Sequence, residues 1–290
     1  MDEPRFVQAN GLRFAYLEAG TGPLVVMMHG FPDTAYTWDR TMTEVARAGY
    51  RVVAPFQRGY HPTEIPPDGP FDTDTLGADV LALITALGES RAIVVGHDWG
   101  AGAALAAAAL GPAQIRLLVM LAIPHPRAIR PTPALAWKVR HFLTLRRRGI
   151  AAKIRAANFA YLDELVRRWS PAWHDLPASE TARVKQAFAE PGSLEAACAY
   201  YQTIGRRLPP SHYLPITVPT VAFAGEHDNI APRAFEKARH CFAASYEVVQ
   251  VPGGHFMHRE HPEHFIRELI RVLADHEARH PGAPRSAAPG

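Results

Sequence analysis

The sequence has few cysteines and lacks a long apolar run. Its 290 residues include two cysteines, Cys198 and Cys241, whose spacing matches no metal-binding or redox motif. This usage is typical of reduced thiols in an intracellular protein. No segment approaches the roughly 18 consecutive apolar residues of a membrane-spanning helix, and the first residues, MDEPRF, lack the apolar centre of a secretory signal. We therefore expect a cytoplasmic protein.

A strong net charge is also absent. The formal charge of +3 is small for a chain of 290 residues, so it indicates neither a nucleic acid nor a membrane surface as a partner. The arginine run at 146–148 is typical of a solvated helix face. The composition, 48% hydrophobic and 20% charged, is that of a globular protein. The length suffices for one large α/β domain, alone or with an inserted subdomain.

Short apolar segments alternate with helical patterns in the first part of the chain. The pattern around Asn10-Gly11 predicts a β-hairpin over residues 5–20. Further strands are predicted at 24–30, 51–56, 92–97 and 117–124, and helices at 37–49, 72–88 and directly after Asp98. Strands that alternate with helices indicate a parallel, doubly wound sheet with both faces covered.

This alternation stops between about Pro126 and Pro219, where helical patterns and prolines replace the strands. Strands resume at 220–228 and 247–255, and a last helix is predicted from Pro262 to His276. We therefore predict a core domain of residues 1–126 and 216–277, a helical lid of residues 127–215, and a disordered tail of residues 278–290. Ligands of open α/β sheets bind beyond the carboxyl ends of the strands, which such a lid would cover.

The segment VVGHDWG places Asp98 between Gly96 and Gly100, directly after a predicted strand and before an alanine-rich helix. This strand–turn–helix context is that of the nucleophile elbow, with aspartate in place of serine. The alternative is an ordinary loop in which Asp98 caps the helix.

Two more candidate residues follow predicted strands. Asp228 comes after TVAFAGEH, and His255 comes after EVVQVPGG. The order of nucleophile, acid and histidine is that of α/β-hydrolases, and the three strand ends would bring the side chains to one edge of the sheet. His258 and His261 compete for the role of base, but Gly253-Gly254 puts His255 directly after its strand.

The segment HGFP at 29–32 follows another predicted strand. A turn there can aim the backbone N–H of Phe31 into the site. The N–H of Trp99, the residue after the predicted nucleophile, would be its partner in an oxyanion hole.

Five segments carry a resemblance to a known family: HGFPDTAYTW, APFQRGYHPTE, VGHDWGAG, GEHDNIAP and PGGHFMHREHPE. They resemble the α/β-hydrolase-fold epoxide hydrolases and the related haloalkane and haloacetate dehalogenases. The resemblance covers nearly the whole predicted core and is weak across the lid. It implies an α/β-hydrolase fold, with a mostly parallel eight-stranded sheet and an inserted helical cap.

An aspartate nucleophile favours a particular chemistry. A carboxylate has an ordinary pKa of about 4, so it is ionised at neutral pH without a base. It can displace a leaving group at saturated carbon and form an ester with the enzyme. His255, oriented by Asp228, would then activate water to hydrolyse that ester. The target is therefore an epoxide or a carbon–halogen bond rather than an ordinary ester.

An epoxide leaves as a basic alkoxide and needs an acid. The resemblance implies two lid tyrosines in this role, and Tyr201 in AYYQT matches the second, with packing in the lid core as its alternative interpretation. Lys138 stands where the first would fall, and His141 or Tyr161 could replace it. The predicted substrate-binding residues are His29, Pro32, Trp137, Lys138, His141 and Tyr161.

We therefore predict hydrolysis of small to medium apolar epoxides to vicinal diols. The first alternative is a hydrolytic dehalogenase, although haloalkane dehalogenases commonly have asparagine in place of Phe31, and haloacetate dehalogenases have arginines after the nucleophile. The second alternative is a non-catalytic module that binds a small molecule. No metal or cofactor is expected, the partners are substrate and water, and a homodimer is compatible with the sequence.

Overall fold

The computed structural model of the chain describes residues 3–67, 69–177, 179–205 and 208–280. Most of the predicted tail lies outside these residues, but its start at 278 is wrong, because the last helix continues to Arg279. The helix runs beyond His276 because its last turn is attached to the core: Glu277 forms an ion pair with Arg116 at 2.8 Å. That contact joins residues far apart in sequence, so no local sequence pattern predicts where the helix ends.

Within the described residues, eight strands form one sheet. They are β1 Arg5–Ala9, β2 Leu12–Ala19, β3 Leu24–Met28, β4 Arg51–Pro55, β5 Ala92–His97, β6 Ile115–Leu121, β7 Thr220–Gly225 and β8 Tyr246–Val251. Their order across the sheet is β1-β2-β4-β3-β5-β6-β7-β8. β2 is antiparallel to β1 and β4, and the pairs from β4 to β8 are parallel. The predicted mostly parallel, doubly wound α/β sheet is therefore confirmed.

The central strands are buried along their whole length. Every residue of β3, β5 and β7 is buried, as expected of parallel strands that are covered by helices on both faces. Their sequences are continuous runs of valine, methionine, isoleucine and alanine rather than alternating patterns. Because these strands run parallel, the carboxyl ends of β3, β5, β7 and β8 lie at one edge of the sheet. The residues that follow them in the chain are brought together there.

Helices of the core pack on the sheet. They are α1 Asp39–Arg47, α2 Thr73–Ala86, α3 Trp99–Leu110, α10 Pro232–Lys237, α11 Met257–Glu260 and α12 Pro262–Arg279. α2 and α3 approach each other closely because both present small residues. A Cβ on Gly77 of α2 would lie only 2.7 Å from the Cβ of Ala106 on α3. The alanine-rich sequence of α3 thus lets this helix lie deep in the core, directly behind β5.

Between β6 and β7 the described residues from 127 to 215 form helices and turns but no strand. The α-helices of this helical segment are α4 Pro133–Lys138, α5 His141–Leu145, α6 Ile150–Ala156, α7 Ala160–Trp169, α8 Ala182–Ala189 and α9 Ser193–Gln202. Since β6 and β7 are neighbours in the sheet, the helical segment leaves the sheet at the carboxyl end of β6 and returns before β7. It therefore starts from the edge at which β5 ends.

Candidate active site

Asp98 occupies a sharp turn between β5 and α3. Its backbone has φ 53° and ψ −118°, a conformation that is costly for a residue with a side chain and is found mainly where surrounding structure enforces it. The neighbouring glycines make the turn possible. A Cβ on Gly100 would lie 2.2 Å from the Met28 carbonyl oxygen, and one on Gly30 would lie 2.4 Å from the Cβ of Asp98 itself. The turn thus directs the Asp98 side chain away from the sheet.

The carboxylate of Asp98 does not cap α3. No hydrogen bond joins this side chain to the first turn of the helix. Instead, Asp98 Oδ1 accepts a hydrogen bond from the backbone N–H of Phe31 at 2.9 Å. The capping interpretation of Asp98 is therefore wrong, and the carboxylate faces the loop that follows β3.

Asp98, His255 and Asp228 lie in one chain of contacts. His255 Nε2 is 3.4 Å from Asp98 Oδ2, and His255 Nδ1 is 3.2 Å from Asp228 Oδ1. The histidine is also held through its backbone, because its N–H donates to the Trp169 carbonyl at 3.0 Å and its carbonyl accepts from His97 Nε2 at 2.9 Å. The imidazole is thus fixed between two carboxylates that come from different strand ends.

The charges of these groups are coupled. Burial lowers the pKa of His255, but Asp228 and Asp98 outweigh this effect and raise the pKa to about 10. Burial raises the pKa of Asp98, but the hydrogen bond and charge of His255 hold it below its ordinary value. At neutral pH the side chains of Asp98 and His255 therefore form a carboxylate–imidazolium pair.

Two backbone N–H groups are available for an oxyanion. That of Phe31 already contacts Asp98 Oδ1 at 2.9 Å. Trp99 is the first residue of α3, so its N–H belongs to the first turn of the helix, whose donors have no partner within it. The partial positive charge at a helix N-terminus adds to the attraction for a negatively charged oxygen. The loop after β3 and the start of α3 can therefore bind an oxyanion formed on Asp98.

A cavity of about 290 Å³ adjoins Asp98 and His255. Its walls come from the core and from the helical segment and are mostly apolar. Among the side chains that line it are Ile123, Ile230, Leu135, Val139, Phe142 and Trp169. The ionised pair therefore lies against a space suited to an apolar ligand.

Tyr201 is buried beside this cavity. Its ring packs edge-on against Trp99 and Phe142, each with centroids 5.3 Å away; these two residues line the cavity, whereas Tyr201 does not. The Trp99 side chain beside its hydroxyl can only donate a hydrogen bond, so the hydroxyl proton is donated to none of the described residues. Burial and the charge of Asp98 raise the pKa of Tyr201 well above its ordinary value, so the hydroxyl keeps its proton. Tyr201 can therefore donate a hydrogen bond near Asp98.

His141, and not Lys138, lies next to Tyr201. The two rings have centroids 5.8 Å apart, and His141 is buried and lines the cavity. Burial lowers the pKa of His141 to about 3, so the imidazole is neutral. Lys138 is exposed and is not among the residues that line the cavity. Its Nζ donates to the carbonyl of Asn229 at 3.0 Å. Tyr161 is partly buried but also lies outside that lining.

Three further residues that were predicted to bind substrate lie outside the cavity lining, so their role stays a prediction. Trp137 is 70% exposed, and Arg140 stacks on its ring at 4.4 Å. His29 is buried below the site, where its Nε2 accepts a hydrogen bond from the Gln57 N–H at 3.0 Å. Pro32 is buried as well. All three lie outside the residues that line the cavity.

His97 was not predicted as a site residue. It bonds the carbonyl of His255, and burial lowers its pKa to about 3, so it acts as a neutral donor that fixes the His255 backbone. Its position directly before Asp98, in GHDW, is the signal that could have pointed to it.

Within the described part of the chain, no group of three or more potential ligands is arranged to hold a metal ion, and no helix is long and apolar enough to cross a bilayer.

Comparisons with known proteins identify the family of this chain. A family model of the alpha/beta hydrolase fold matches residues 23–262. The AB hydrolase superfamily protein YfhM of Bacillus subtilis (strain 168) is 31% identical, over 90% of this chain and 91% of that protein. Epoxide hydrolase 4 of Mus musculus is 27% identical, over 94% and 79% respectively. The crystal structure of epoxide hydrolase A from Mycobacterium thermoresistibile has a TM-score of 0.76 at 26% identity, over 94% of this chain and 98% of that one.

The matching family model covers most of the chain and includes the loop after β3, the turn at Asp98 and the ends of β7 and β8. Sequence similarity to YfhM extends over nearly the full length of both proteins. The chain therefore belongs to the α/β-hydrolase fold family and is an epoxide hydrolase-like enzyme.

Proposed function

We propose that this enzyme hydrolyses small to medium apolar epoxides to vicinal diols through an ester intermediate on Asp98. The observation that carries the proposal is the ionised Asp98 carboxylate, held between the Phe31 N–H and His255 at the end of an apolar cavity. Relatives named epoxide hydrolases, such as that of Mus musculus, support this choice of substrate.

In the first step, one oxygen of Asp98 attacks an epoxide carbon. A C–O bond to Asp98 forms as the C–O bond of the strained ring breaks, and the electron pair goes to the departing oxygen. Tyr201 donates its hydroxyl proton toward that oxygen. The raised pKa of Tyr201 keeps the proton on the phenol in the resting enzyme. The departing oxygen is an alkoxide, a stronger base than tyrosinate, so it takes the proton and leaves a tyrosinate. Asp98 Oδ1 stays at the Phe31 N–H and becomes the ester carbonyl oxygen.

Once the ester has formed, the His255 imidazolium gives its proton to the tyrosinate left at Tyr201 and becomes neutral. In the second step, the neutral His255 takes a proton from water, and the resulting hydroxide attacks the ester carbon of Asp98. The N–H groups of Phe31 and Trp99 stabilise the oxyanion, and loss of one such donor typically costs about 3 kcal/mol of transition-state stabilisation. The imidazolium formed on His255 is stabilised by Asp228. The intermediate collapses as the bond between the Asp98 carbonyl carbon and the substrate oxygen breaks. That oxygen takes the proton of the added hydroxyl group, which releases the diol and restores the Asp98 carboxylate beside the His255 imidazolium.

We also propose that His141 is the second hydrogen-bond donor to the epoxide oxygen, in place of a second lid tyrosine. Its position next to Tyr201 and its neutral state support this assignment. The helical segment would then act as a lid, since Tyr201, His141 and the apolar side chains Phe142 and Trp169 all belong to it.

Product analysis tests the proposal. The purified enzyme is incubated separately with styrene oxide, a bromoalkane and chloroacetate, and both diol and free halide are measured. We expect diol from styrene oxide and no halide, and Asp98→Asn should form neither product. Halide release without diol would show that the substrate is a carbon–halogen compound rather than an epoxide. Binding without any product would indicate a non-catalytic module.

A further inference from the structure

A second group of polar side chains lies beside the cavity, away from His255. Thr73 begins α2, His125 follows β6, and His212 lies in a turn of 3₁₀ helix at Pro210–Tyr213. All three are buried, with 9%, 1% and 4% of their surface exposed. Thr73 and His212 line the cavity directly, so these two side chains interrupt a wall that is otherwise mainly apolar. His125 contacts the His212 ring but is itself outside the cavity lining.

The hydrogen bonds of the two histidines leave ring atoms without partners. His125 Nδ1 accepts from the backbone N–H of Arg127 at 3.2 Å, so a neutral ring carries its proton on Nε2. That Nε2–H has no partner among the described residues, and neither does Nδ1 of His212. His212 Nε2 is 3.4 Å from Thr73 Oγ1, and the two rings meet edge-on with centroids 6.1 Å apart. Buried polar atoms of this kind normally have a hydrogen-bond partner.

Both rings are uncharged at neutral pH. Burial is the largest cause that lowers the pKa of His125 to about 4, and the charge of the neighbouring His212 lowers it further. Burial also lowers the pKa of His212, against the opposing charge of Asp74. Neither neutral ring can compensate the charge of a carboxylate buried between them, which is unfavourable. An uncharged oxygen that accepts a hydrogen bond, such as a hydroxyl or carbonyl oxygen, suits the free N–H of His125.

The group lies within reach of a substrate held at Asp98. Thr73 Cγ2 is 3.2 Å from the place that a Cβ on Gly102 would occupy. Gly102 is four residues after Asp98, and four residues of α-helix rise about 6 Å, roughly the length of a chain of four or five carbons. An epoxide attacked by Asp98 can therefore place the end of a short chain beside His212.

We propose that His125 and His212 form a subsite for an uncharged oxygen on the substrate, so that the preferred epoxide carries a hydroxyl or carbonyl group about four or five carbons from the ring. The inference rests on the proposed epoxide hydrolysis, which fixes one end of the substrate at Asp98. It adds one polar contact to an otherwise apolar substrate class.

Two matched substrates test the subsite: 1,2-epoxyhexane and the same molecule with a hydroxyl on its last carbon. The quantity compared is the kcat/KM of the hydroxylated epoxide divided by that of 1,2-epoxyhexane. One additional hydrogen bond should raise this ratio to about three- to tenfold in the unmodified enzyme. His212→Leu should reduce this ratio to about one, and His125→Leu should reduce it in part. His212→Gln, which retains a donor and an acceptor, should keep part of it.

His276→Leu is the control, because it also removes a buried histidine but lies on α12, outside the cavity lining. It should keep the ratio of the unmodified enzyme. A ratio of one in the unmodified enzyme, or a ratio that survives both His212→Leu and His125→Leu, overturns the subsite.

If neither epoxide yields diol, the proposed function fails, and calorimetry then tests the subsite separately. Hexane-1,2-diol and hexane-1,2,6-triol, the two expected products, are titrated into the unmodified enzyme and His212→Leu. Tighter binding of the triol that is lost in the variant supports the subsite. Equal affinities for diol and triol in the unmodified enzyme overturn it.

Discussion

At the scale of single residues, the carboxylate of Asp98 determines the order of events at the site. While Asp98 is ionised, it contributes to the raised pKa of His255, and the imidazole is protonated. An ester on Asp98 carries no negative charge, so this contribution disappears and the pKa of His255 falls. The histidine therefore becomes a base only after the ester has formed, which separates its task from that of the nucleophile.

Replacement of His255 should stop the reaction halfway. His255→Gln keeps Asp98 free to attack, but no group remains to take a proton from the hydrolytic water. We expect styrene oxide to leave a stable covalent adduct, detected by intact-protein mass spectrometry and located on Asp98 by peptide mapping. The double variant Asp98→Asn/His255→Gln is the control and should gain no mass. An unmodified His255→Gln chain, with a substrate that the native enzyme turns over, would contradict the ester mechanism.

Tyr201 and its neighbour Tyr200 provide a matched pair of variants. Tyr201→Phe removes the proposed proton donor and should lower kcat with styrene oxide by about 100-fold or more, since general acids typically contribute 10²–10⁴-fold. The hydroxyl of Tyr200 instead donates to the Arg58 carbonyl at 2.8 Å, so Tyr200→Phe should cost about 1 kcal/mol of stability and little activity. Equal losses of kcat in both variants would assign Tyr201 to packing alone.

At the scale of secondary-structure elements, the contact between α2 and α3 supports the turn at Asp98 from behind. A methyl group on Gly77 would lie 2.7 Å from the Cβ of Ala106, so Gly77→Ala must push the helices apart. Overpacking of this kind costs about 1–3 kcal/mol. We therefore expect Gly77→Ala to lower the free energy of unfolding, measured in urea, despite the better helix propensity of alanine.

Gly102→Ala is the control for this prediction, because the added methyl group would meet only the Thr73 side chain, at 3.2 Å. Alanine gains up to about 1 kcal/mol in helix propensity over glycine, so this variant should be neutral or slightly more stable. Two equally stable variants would show that the contact between α2 and α3 can relax.

The elements that the sequence predicts well are those with strong local signals. The central strands are continuous apolar runs, and the turns at Asp98 and His255 follow them directly, so both the sheet and the meeting of these two residues could be predicted. Short helices such as α4 and α5 are different. Trp137 and His141 lie only four residues apart, yet one is exposed and the other lines the cavity. Packing of the helical segment on the core decides this, and no periodic pattern of the sequence contains that information.

At the scale of the whole molecule, one partly buried arginine links the helical segment to the loop after β3. Arg259 forms ion pairs with Asp33 at 2.8 Å and with Glu180 at 2.5 Å. Asp33 is two residues from Phe31, so the oxyanion-binding loop and the helical segment share one charged partner. A cavity that is closed on one side by these helices thus depends on long-range contacts that join distant parts of the chain.

The buried histidines make the stability of the molecule dependent on pH. Burial is the first cause that lowers the pKa of five of them to about 3 or 4: His29, His97, His125, His141 and His276. Between about pH 6.5 and pH 4, the unfolded chain therefore binds more protons than the folded chain, and stability falls as the pH falls. His255 acts in the opposite sense: its raised pKa adds stability below about pH 6.5 that is lost as the pH rises toward 10.

The free energy of unfolding should consequently be highest near about pH 7, and urea titrations at about pH 5, 7 and 9 measure it. His276→Leu should reduce the loss of stability between pH 7 and pH 5. Each pH unit below about 6.5 costs about 1.4 kcal/mol for a ring that is protonated in the unfolded chain and neutral in the folded chain. His255→Gln should reduce the loss between pH 7 and pH 9. Unfolding free energies that stay constant from pH 5 to pH 7, or that respond to neither substitution, would mean that these rings are protonated alike in the folded and unfolded chains.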